Sequence, residues 1–484
     1  MLDGYVWPQS VLPGEEVALH ASSSVPFGVE VAREGGERQV VWRMDAVAGT
    51  AHPVPADASA TGCGWPAALA IPVDGGWRSG VYTVRLTSGD EEAHAFFAVR
   101  PDTDRAPIVL VLSTATANAY NDWGGPSLYT GGTRVSFERP LARGFLAKPQ
   151  PAVRKAQAVP DREALGYVAW AQERGLSPWS GGAGWWTWER PFVAWAEREG
   201  FAIDVATSQD LEEYPEVLDG HRLFLSVGHD EYWSWGMRDT VEGFLAGGGN
   251  AAFFGGNTCW WQVRFEEGGR AMTCFKYRAD EDPVLGTPVE RLLTGAWPDR
   301  RIGRPEAAMT GLSFSRGGYS RYGLGVPRAS GAYTVHRPDH WAFEGTELRY
   351  GDALGLADAI VGYEVDGCEL ALRDGLPIAT HRDGAPDTLE VLATAPARLW
   401  SQDEQPSRYA HEPGELEHVA RVLFGERWED EVGRIANNHA VLGCFDHAGG
   451  GTVFHAGCTD WTDGIEGGDP DVRRVTRNVL ERLT

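Results

Sequence analysis

The hydrophobic pattern of residues 222–261 predicts a strand, a loop, a helix and a second strand. Two apolar runs, Leu223–Val227 and Ala251–Phe254, have the length of buried strands. Between them, apolar residues recur at intervals of three, four and seven, as they do on one face of a helix. Ser234 is the expected N-cap of this helix, and Gly247–Gly249 marks its expected end. Both strands end in polar residues, and ligands bind at such strand ends in open α/β sheets.

The polar residues that follow these strands are candidates for chemistry. The first strand leads into Gly228-His229-Asp230-Glu231-Tyr232, and the second leads into Gly255-Gly256-Asn257. Ala119-Tyr120-Asn121 and Tyr129 follow a third apolar run, Ile108–Leu112, which is typical of a strand buried on both faces. Taken singly, each of these residues is more often structural, and the H-E-x-x-H spacing of a zinc-protease helix is absent. The residues alone therefore predict an α/β pocket lined by Tyr, His, Glu, Asn and Trp, without defining a reaction.

The pattern beyond residue 102 predicts an α/β catalytic domain over residues 103–484. Strands that alternate with helices are typical of a mostly parallel sheet. The expected elements are a strand at Ile108–Leu112, a helix at Pro191–Glu199, a strand at Phe201–Val205, a helix at Leu211–Leu218, a late strand ending at His455 and a closing helix at Val472–Leu483. A long stretch rich in Gly, Trp and Pro precedes Pro191, and we expect it to form the wall or lid of a pocket.

Residues 1–102 have a different pattern, which predicts an all-β, immunoglobulin-like sandwich. Short strand-like runs are separated by clusters of Gly, Pro, Asp and Ser at intervals that suit such a domain. The runs are Val17–His20, Val29–Ala32, Val40–Trp42, Val81–Leu86 and Ala93–Val99. Carbohydrate binding, oligomerisation and simple packing beside the second domain all remain open as roles for this domain.

Charge and composition narrow the class of partner. The formal net charge of −25 argues against nucleic acid and anionic membrane surfaces, because both need a basic protein surface. The sequence shows neither an apolar run long enough to span a bilayer nor a signal peptide, so we expect no membrane partner. The six cysteines are scattered without a CxxC pair, which favours a reducing cytoplasm.

Four short motifs, in this order, resemble the C-terminal catalytic region of the N,N-dimethylformamidase large (beta) subunit family. Three are the Ala119-Tyr120-Asn121, Gly228–Tyr232 and Gly255–Asn257 segments, and the fourth is Gly362-Tyr363-Glu364-Val365-Asp366. The resemblance extends from about residue 105 to the end of the chain. It implies an α/β fold similar to class I glutamine amidotransferases, with a mononuclear Fe(III) held by two tyrosinates and one glutamate.

The resemblance also implies which residues hold the metal. Its first tyrosine falls on Tyr120, its second on Tyr129 and its glutamate on Glu231. Tyr167 is the alternative to Tyr129, because the sequence around Tyr129 is shorter than the family pattern. Phenolate and carboxylate are hard anionic oxygen donors that favour Fe(III), and three protein ligands would leave positions for water and substrate.

The function implied by the resemblance is iron-dependent hydrolysis of the C–N bond of a small, formamide-like amide through metal-activated water. Glu364 is the implied general base and proton shuttle to the leaving amine, and His229 would orient water or a ligand. Asn257 would donate a hydrogen bond to the substrate carbonyl or to the tetrahedral intermediate.

Two other classes of function stay open. The sandwich and the abundant tryptophan suit a carbohydrate-active or carbohydrate-binding protein, although no carboxylate pair at readable spacing supports it. A non-catalytic binding protein could also retain the fold. The family's large subunit is longer and works with a small subunit, so we expect a small amide other than dimethylformamide as substrate. A homo-oligomer is a further possibility.

Overall fold

A computed structural model describes residues 2–153, 166–321, 329–404 and 413–484 of the chain. The chain divides into two compact units. The first unit consists of Met1–Ala152, Val168–His221 and Arg264–Cys274, and the second of Val153–Tyr167, Arg222–Val263 and Phe275–Thr484. The expected boundary between residues 102 and 103 lies within the first unit and stays a prediction.

The bounds of the elements are as follows, within the described ranges. The strands are β1 (Asp3–Trp7), β2 (Ser10–Val11), β3 (Glu16–Ser22), β4 (Phe27–Glu34), β5 (Gln39–Val47), β6 (Ala67–Pro72), β7 (Gly80–Ser88), β8 (Glu91–Val99), β9 (Ile108–Leu112), β10 (Arg134–Ser136), β11 (Ile203–Thr207), β12 (Leu223–His229), β13 (Tyr232–Ser234), β14 (Asn250–Gly256), β15 (Trp261–Glu266), β16 (Ala271–Thr273), β17 (Ser313–Tyr319), β18 (Tyr333–Val335), β19 (Ala353–Leu354), β20 (Glu364–Gly367), β21 (Leu370–Arg373), β22 (Leu376–Ala379), β23 (Glu390–Ala397), β24 (Asn438–Asp446) and β25 (Thr452–His455). The α-helices are α1 (Ala58–Thr61), α2 (Thr114–Tyr120), α3 (Gly166–Glu173), α4 (Glu189–Arg198), α5 (Ser208–Glu213), α6 (Trp235–Ala246), α7 (Ala307–Thr310), α8 (Glu415–Phe424), α9 (Trp428–Glu431), α10 (Trp461–Gly467) and α11 (Pro470–Leu483).

The N-terminal part of the first unit is a pair of sheets that share one core. One sheet has the order β1-β3-β6, and the other has the order β2-β8-β7-β4-β5. Side chains alternate between the two faces of a strand, and along β3 every second residue is buried. Leu19 and Ile71 of the smaller sheet share a core with Val31 and Phe97 of the larger one. The two sheets therefore pack face to face, as in a β-sandwich.

The first unit continues with β9 and β11, which pair in parallel. The predicted strand Ile108–Leu112 is confirmed with the same bounds. The predicted helix over Leu211–Leu218 is wrong, because α5 ends at Glu213 and a separate 3-10 turn covers Pro215–Leu218. Pro215 explains the break, since proline has no N–H for a helical hydrogen bond and disfavours helical geometry in the residue before it.

The fold class of the second unit differs from the expected one. Its large sheet has the order β12-β14-β25-β24-β23-β18-β19. The pairs β12–β14 and β14–β25 are parallel, but the next four pairs along the sheet are antiparallel. The sheet is mixed, and the molecule is rich in β structure. The prediction of a mostly parallel α/β domain similar to class I glutamine amidotransferases is therefore wrong.

The physical reason lies in the chain that follows β14. Each parallel neighbour needs a crossover, which is usually a helix on the face of the sheet. Between β14 and β23, the described residues form short strands and 3-10 turns, with α7 as the one α-helix among them. The strands that complete the sheet therefore join it antiparallel to their neighbours.

The strand–helix–strand unit predicted over residues 222–261 is present. The Ser234 hydroxyl accepts a hydrogen bond from the Met237 amide and caps α6, as expected. Aromatic contacts fix the neighbouring strands, with ring centroids 5.8 Å apart for Phe224–Phe253 and 5.6 Å apart for Phe254–Phe454. In the described part of the chain, no helix combines the length and apolar character that crossing a membrane requires.

A buried carboxyl lies just before α7. Glu306 is fully buried, and Ser313 donates a hydrogen bond to its Oε1. Burial raises the pKa of Glu306 to about 8, although the Ser313 hydroxyl opposes this change. The folded chain therefore keeps this proton to a higher pH than the unfolded chain, in which a glutamate pKa is about 4.3.

We expect Glu306 to make the protein less stable as pH rises from about 4.5 to about 8. Above the unfolded pKa, the unfolded state has lost this proton while the folded state still binds it, so unfolding becomes more favourable with pH, by at most about 1.4 kcal/mol per pH unit. Glu306→Gln removes this contribution. Its Tm should therefore fall less steeply than that of the natural protein across this range. The matched control is Glu429→Gln, an exposed position in α9, and equal slopes for both variants would contradict the assignment.

Candidate functional site

Two of the proposed ligands lie side by side in the first unit. Tyr120 is the last residue of α2, and Tyr129 follows nine residues later. The Leu128 amide donates a hydrogen bond to the Ala119 carbonyl at 3.1 Å, which draws the second tyrosine back to the end of the helix. The two rings have centroids 4.1 Å apart, and both side chains are buried. Local backbone bonding therefore pairs the two phenols.

The surroundings of this pair are aromatic. The Trp179 ring has its centroid 5.3 Å from that of Tyr129 and 6.2 Å from that of Tyr120. Trp179 comes from the Gly- and Trp-rich stretch that was expected to wall a pocket. Tyr167, the alternative second tyrosine, is buried in α3 and belongs to the second unit. Metal binding by Tyr120 and Tyr129 stays a prediction.

The second unit brings together three of the other residues singled out by the sequence. The Nε2 atom of His229, at the end of β12, lies 2.7 Å from the Oε2 atom of Glu364, at the start of β20. The same oxygen accepts a hydrogen bond from Asn257 Nδ2 at 3.2 Å. All three side chains are almost completely buried. A hydrogen on Nε2 would let His229 donate to a Glu364 carboxylate across this short contact, because a carboxylate oxygen only accepts.

Glu231 lies beside this group. Its Oε2 atom is 3.4 Å from His229 Nε2, and its Oε1 atom accepts a hydrogen bond from the Trp261 indole at 2.8 Å. Trp261 is held opposite Tyr232 by the parallel pairing of β13 and β15. His229 therefore lies between two carboxylates, and a neighbouring strand fixes the orientation of Glu231.

Two glycines allow the strands to approach closely enough for these contacts. Gly255 pairs with Gly228 between β12 and β14, and a Cβ at Gly255 would lie 2.4 Å from the Gly228 oxygen. A Cβ at Gly256 would lie 2.6 Å from the Glu364 backbone oxygen. Any larger residue at either position would push the backbone apart. The Gly-Gly-Asn motif therefore brings β20 against the end of β14.

Asp366 is a further site residue that sequence reasoning missed. Its Oδ1 and Oδ2 atoms accept hydrogen bonds from the backbone amides of Asn257 and Thr258, each at 3.0 Å. These bonds hold Asn257 in a left-handed conformation with φ of 51°. The Oδ2 atom also lies 3.3 Å from His455 Nε2. The spacing of Glu364 and Asp366 was the available signal, because residues two apart on a strand share a face.

Burial raises the pKa of two carboxyl groups near this cluster. It raises the pKa of Asp230 to about 7, although a hydrogen bond from the Ser226 hydroxyl, at 2.9 Å, opposes this change. Burial, followed by the negative charge of Glu364, raises the pKa of Glu415 to about 8. Tyr277 donates to the Glu415 carboxyl at 3.1 Å. This part of the second unit therefore disfavours added negative charge and can retain protons near neutral pH.

The donor chemistry fits a ferric ion. Of the predicted ligands, Tyr120 and Tyr129 are buried phenols, and Glu231 is a buried carboxyl group. These are hard oxygen donors of the kind that Fe(III) prefers. Within the described ranges, no group of three or more His, Cys, Asp or Glu residues could hold a metal ion by itself.

The chain is similar to proteins of known name. A family model described as N,N-dimethylformamidase beta subunit-like, C-terminal, matches residues 28–474. The N,N-dimethylformamidase beta subunits of Alcaligenes sp and Paracoccus aminophilus are each 24% identical over 460 residues, covering 87% of this chain and 54% of theirs. The chain thus spans about half the length of these relatives. A solved structure on Dscam isoform specificity covers 20% of each chain at 12% identity and a TM-score of 0.14, too low to support any structural argument.

We expect Asp366→Asn to destabilise the protein. Asparagine offers one carbonyl oxygen, so its amide group would face the second backbone N–H of the Asn257–Thr258 turn. Loss of charge-assisted bonding at a buried pair of donors costs about 1.5–3 kcal/mol. Urea denaturation measures this change. The control is Asp374→Asn, at an exposed turn, where a change within about 0.5 kcal/mol is expected. Equal effects of the two substitutions would contradict the role of Asp366.

Proposed function

Since the chain belongs to the N,N-dimethylformamidase beta subunit-like, C-terminal family, we propose that it hydrolyses the C–N bond of a small, formamide-like amide. The two relatives are named as subunits of an N,N-dimethylformamidase, which supports amide hydrolysis as the reaction class. The observation that carries the proposal is the buried cluster of His229, Asn257 and Glu364. A carboxylate held by two donors away from bulk water is suited to proton transfer at a reacting amide.

Glu364 is the proposed general base. It accepts a proton from the water that attacks the carbonyl carbon, and it then gives that proton to the leaving nitrogen. The C–N bond breaks, and the products are a carboxylic acid and an amine. His229 holds the carboxylate through its Nε2–H, 2.7 Å from Oε2, and so fixes the direction in which Glu364 faces.

Asn257 has two hydrogens on Nδ2, and one of them is directed at Glu364. We propose that the second donates to the substrate carbonyl oxygen, where negative charge grows as water adds. Asp366 keeps Asn257 in place through the backbone, so it acts as a positioning residue.

We further propose a mononuclear ferric ion held by Tyr120, Tyr129 and Glu231. When bound, such an ion supplies Lewis acidity, which polarises a carbonyl group and lowers the pKa of water. The contact between the two buried phenols of Tyr120 and Tyr129 supports their part of this ligand set. Three negative charges on the ligands would balance the charge of the ion.

The proposed setting is the cytoplasm, with a small amide as substrate. All six cysteines are buried free thiols, which suits a reducing compartment. Because the relatives are named as subunits, we propose that this chain also works in an oligomer, with further copies of itself.

Purified protein is expected to contain iron and to show the visible charge-transfer band of an iron tyrosinate. Tyr120→Phe and Glu231→Gln should each lose iron and colour, because each removes an anionic ligand. Metal analysis and the visible spectrum measure both effects. Tyr129→Phe and Tyr167→Phe, compared in the same way, identify the second tyrosine.

The matched control is Tyr350→Phe, since Tyr350 is 63% exposed and outside the proposed ligand set. It should keep full iron content and an unchanged spectrum. A Tyr120→Phe protein with full iron content would contradict the assignment of Tyr120 as a ligand. A natural protein that is colourless and free of iron after growth with added iron would remove the metal from the proposal.

Glu364→Gln should retain iron but lose turnover. The amide has nearly the shape of the carboxylate but cannot accept the proton from water, so kcat should fall by roughly 10²- to 10⁴-fold. Hydrolysis of a panel of small amides, followed by release of the amine, measures this loss. Unchanged kcat with unchanged iron content would exclude Glu364 as the base.

A further inference from the structure

Arg139 in the first unit is a buried cation with an unusual set of partners. Its side chain is 2% exposed, and burial lowers the pKa of its guanidinium to about 9. Most buried guanidinium groups are paired with a carboxylate, because an uncompensated charge is costly to remove from water. In the described part of the chain, no carboxylate lies within ion-pair distance of Arg139. Its hydrogen-bond partners are therefore all neutral groups, and Asp122 contributes a charge attraction from a longer distance.

These hydrogen-bond partners are five oxygen atoms. Nε donates to the Ser136 carbonyl at 2.9 Å, and Nη1 donates to the carbonyls of Trp123 and Asn121 at 2.6 and 3.1 Å. Nη2 donates to the carbonyls of Asn121 and Asn118 at 3.1 and 3.3 Å, and to the Asn118 side-chain oxygen at 3.2 Å. The planar fork of arginine reaches all of them at once, and a lysine would not.

Most of the carbonyl groups that Arg139 binds belong to residues close to Tyr120 in the sequence. Asn118 and Asn121 flank Tyr120 at the end of α2, and Trp123 follows in the loop. Ser136, the fourth backbone partner, is the last residue of β10. Arg139 thus ties the segment that carries Tyr120 to a strand, and it satisfies carbonyls that the end of a helix leaves without partners.

A second residue reinforces the same connection. The Asn121 side chain donates to the Pro140 carbonyl at 2.9 Å and accepts from the amides of Trp123 and Ala142, at 3.1 and 3.0 Å. Tyr129 in turn depends on the bond from Leu128 to Ala119, at the same end of α2. The pairing of the two phenols therefore rests on the segment that Arg139 holds.

We propose that Arg139 is a positioning residue that fixes Tyr120 against Tyr129 by clamping the carbonyls around residues 118–123. The inference rests on the proposed function, because it assigns the clamp a purpose in metal binding. Tyr120 and Tyr129 would hold such an ion only from fixed positions, and the rigid fork of Arg139 would keep the Tyr120 segment in place before any ion binds.

The test compares Arg139→Lys with Arg238→Lys. Arg238 is also fully buried, but it lies in the second unit and pairs with Glu242, so it controls for the loss of a buried guanidinium. Hydrogen exchange of the Leu128 and Tyr129 amides in iron-free protein should speed up in Arg139→Lys and not in Arg238→Lys. Iron affinity should fall about 10- to 100-fold in Arg139→Lys alone, with a shifted charge-transfer band.

A milder variant covers the case in which Arg139→Lys does not fold. Asn118→Ala removes one acceptor of Arg139, and the Asn118 Nδ2 has no hydrogen-bond partner among the described residues, so little else is lost. It should give a smaller change in the same direction. Unchanged exchange, affinity and spectrum in both variants would overturn the clamp. If the natural protein binds no iron, the proposed metal fails, while hydrogen exchange still decides whether Arg139 fixes the segment.

Discussion

The close approach of β20 to the end of β14 is the constraint on which the second unit's cluster depends. Gly255 and Gly256 make the approach possible, because a side chain at either position would collide with neighbouring backbone. Asp366 then joins the two strands by accepting from two consecutive amides of the Asn257–Thr258 turn. Only at this separation can Glu364 accept hydrogen bonds from both His229 and Asn257. The missing side chains of the two glycines and the two hydrogen bonds accepted by Asp366 therefore act together.

The local elements were predictable where one short segment contains its own signals. Residues 222–261 carry two apolar runs, a capping serine and a glycine stop, and each of these features is found in the structure. The overall sheet was not predictable in this way. β23 and β24 pair antiparallel across a long connection, and no short-range pattern records which neighbour a strand will choose. Extrapolating from the parallel part therefore gave the wrong fold class.

For the site, too, local sequence motifs were informative and long-range contacts were not predictable. His229, Asn257 and Glu364 stood out because each follows or begins a strand in a recognisable motif, and the structure places them in contact. The roles of Trp261 and Asp366 were not predicted, although Asp366 ends the fourth motif, because these roles depend on partners far along the chain. Pairing of Tyr120 with Tyr129 depends on one backbone bond across a loop, which sequence spacing alone does not reveal.

The bond from Asn257 to Asp366 joins residues 109 positions apart in the chain. The segment between them leaves and re-enters the cluster at two points fixed by β14 and β20. Insertions or deletions in the loops of that segment need not move either point, but Thr258, Trp261 and Glu364 lie within it and must keep their contacts with the cluster. The length of chain between these contacts is therefore less constrained than the contacts themselves.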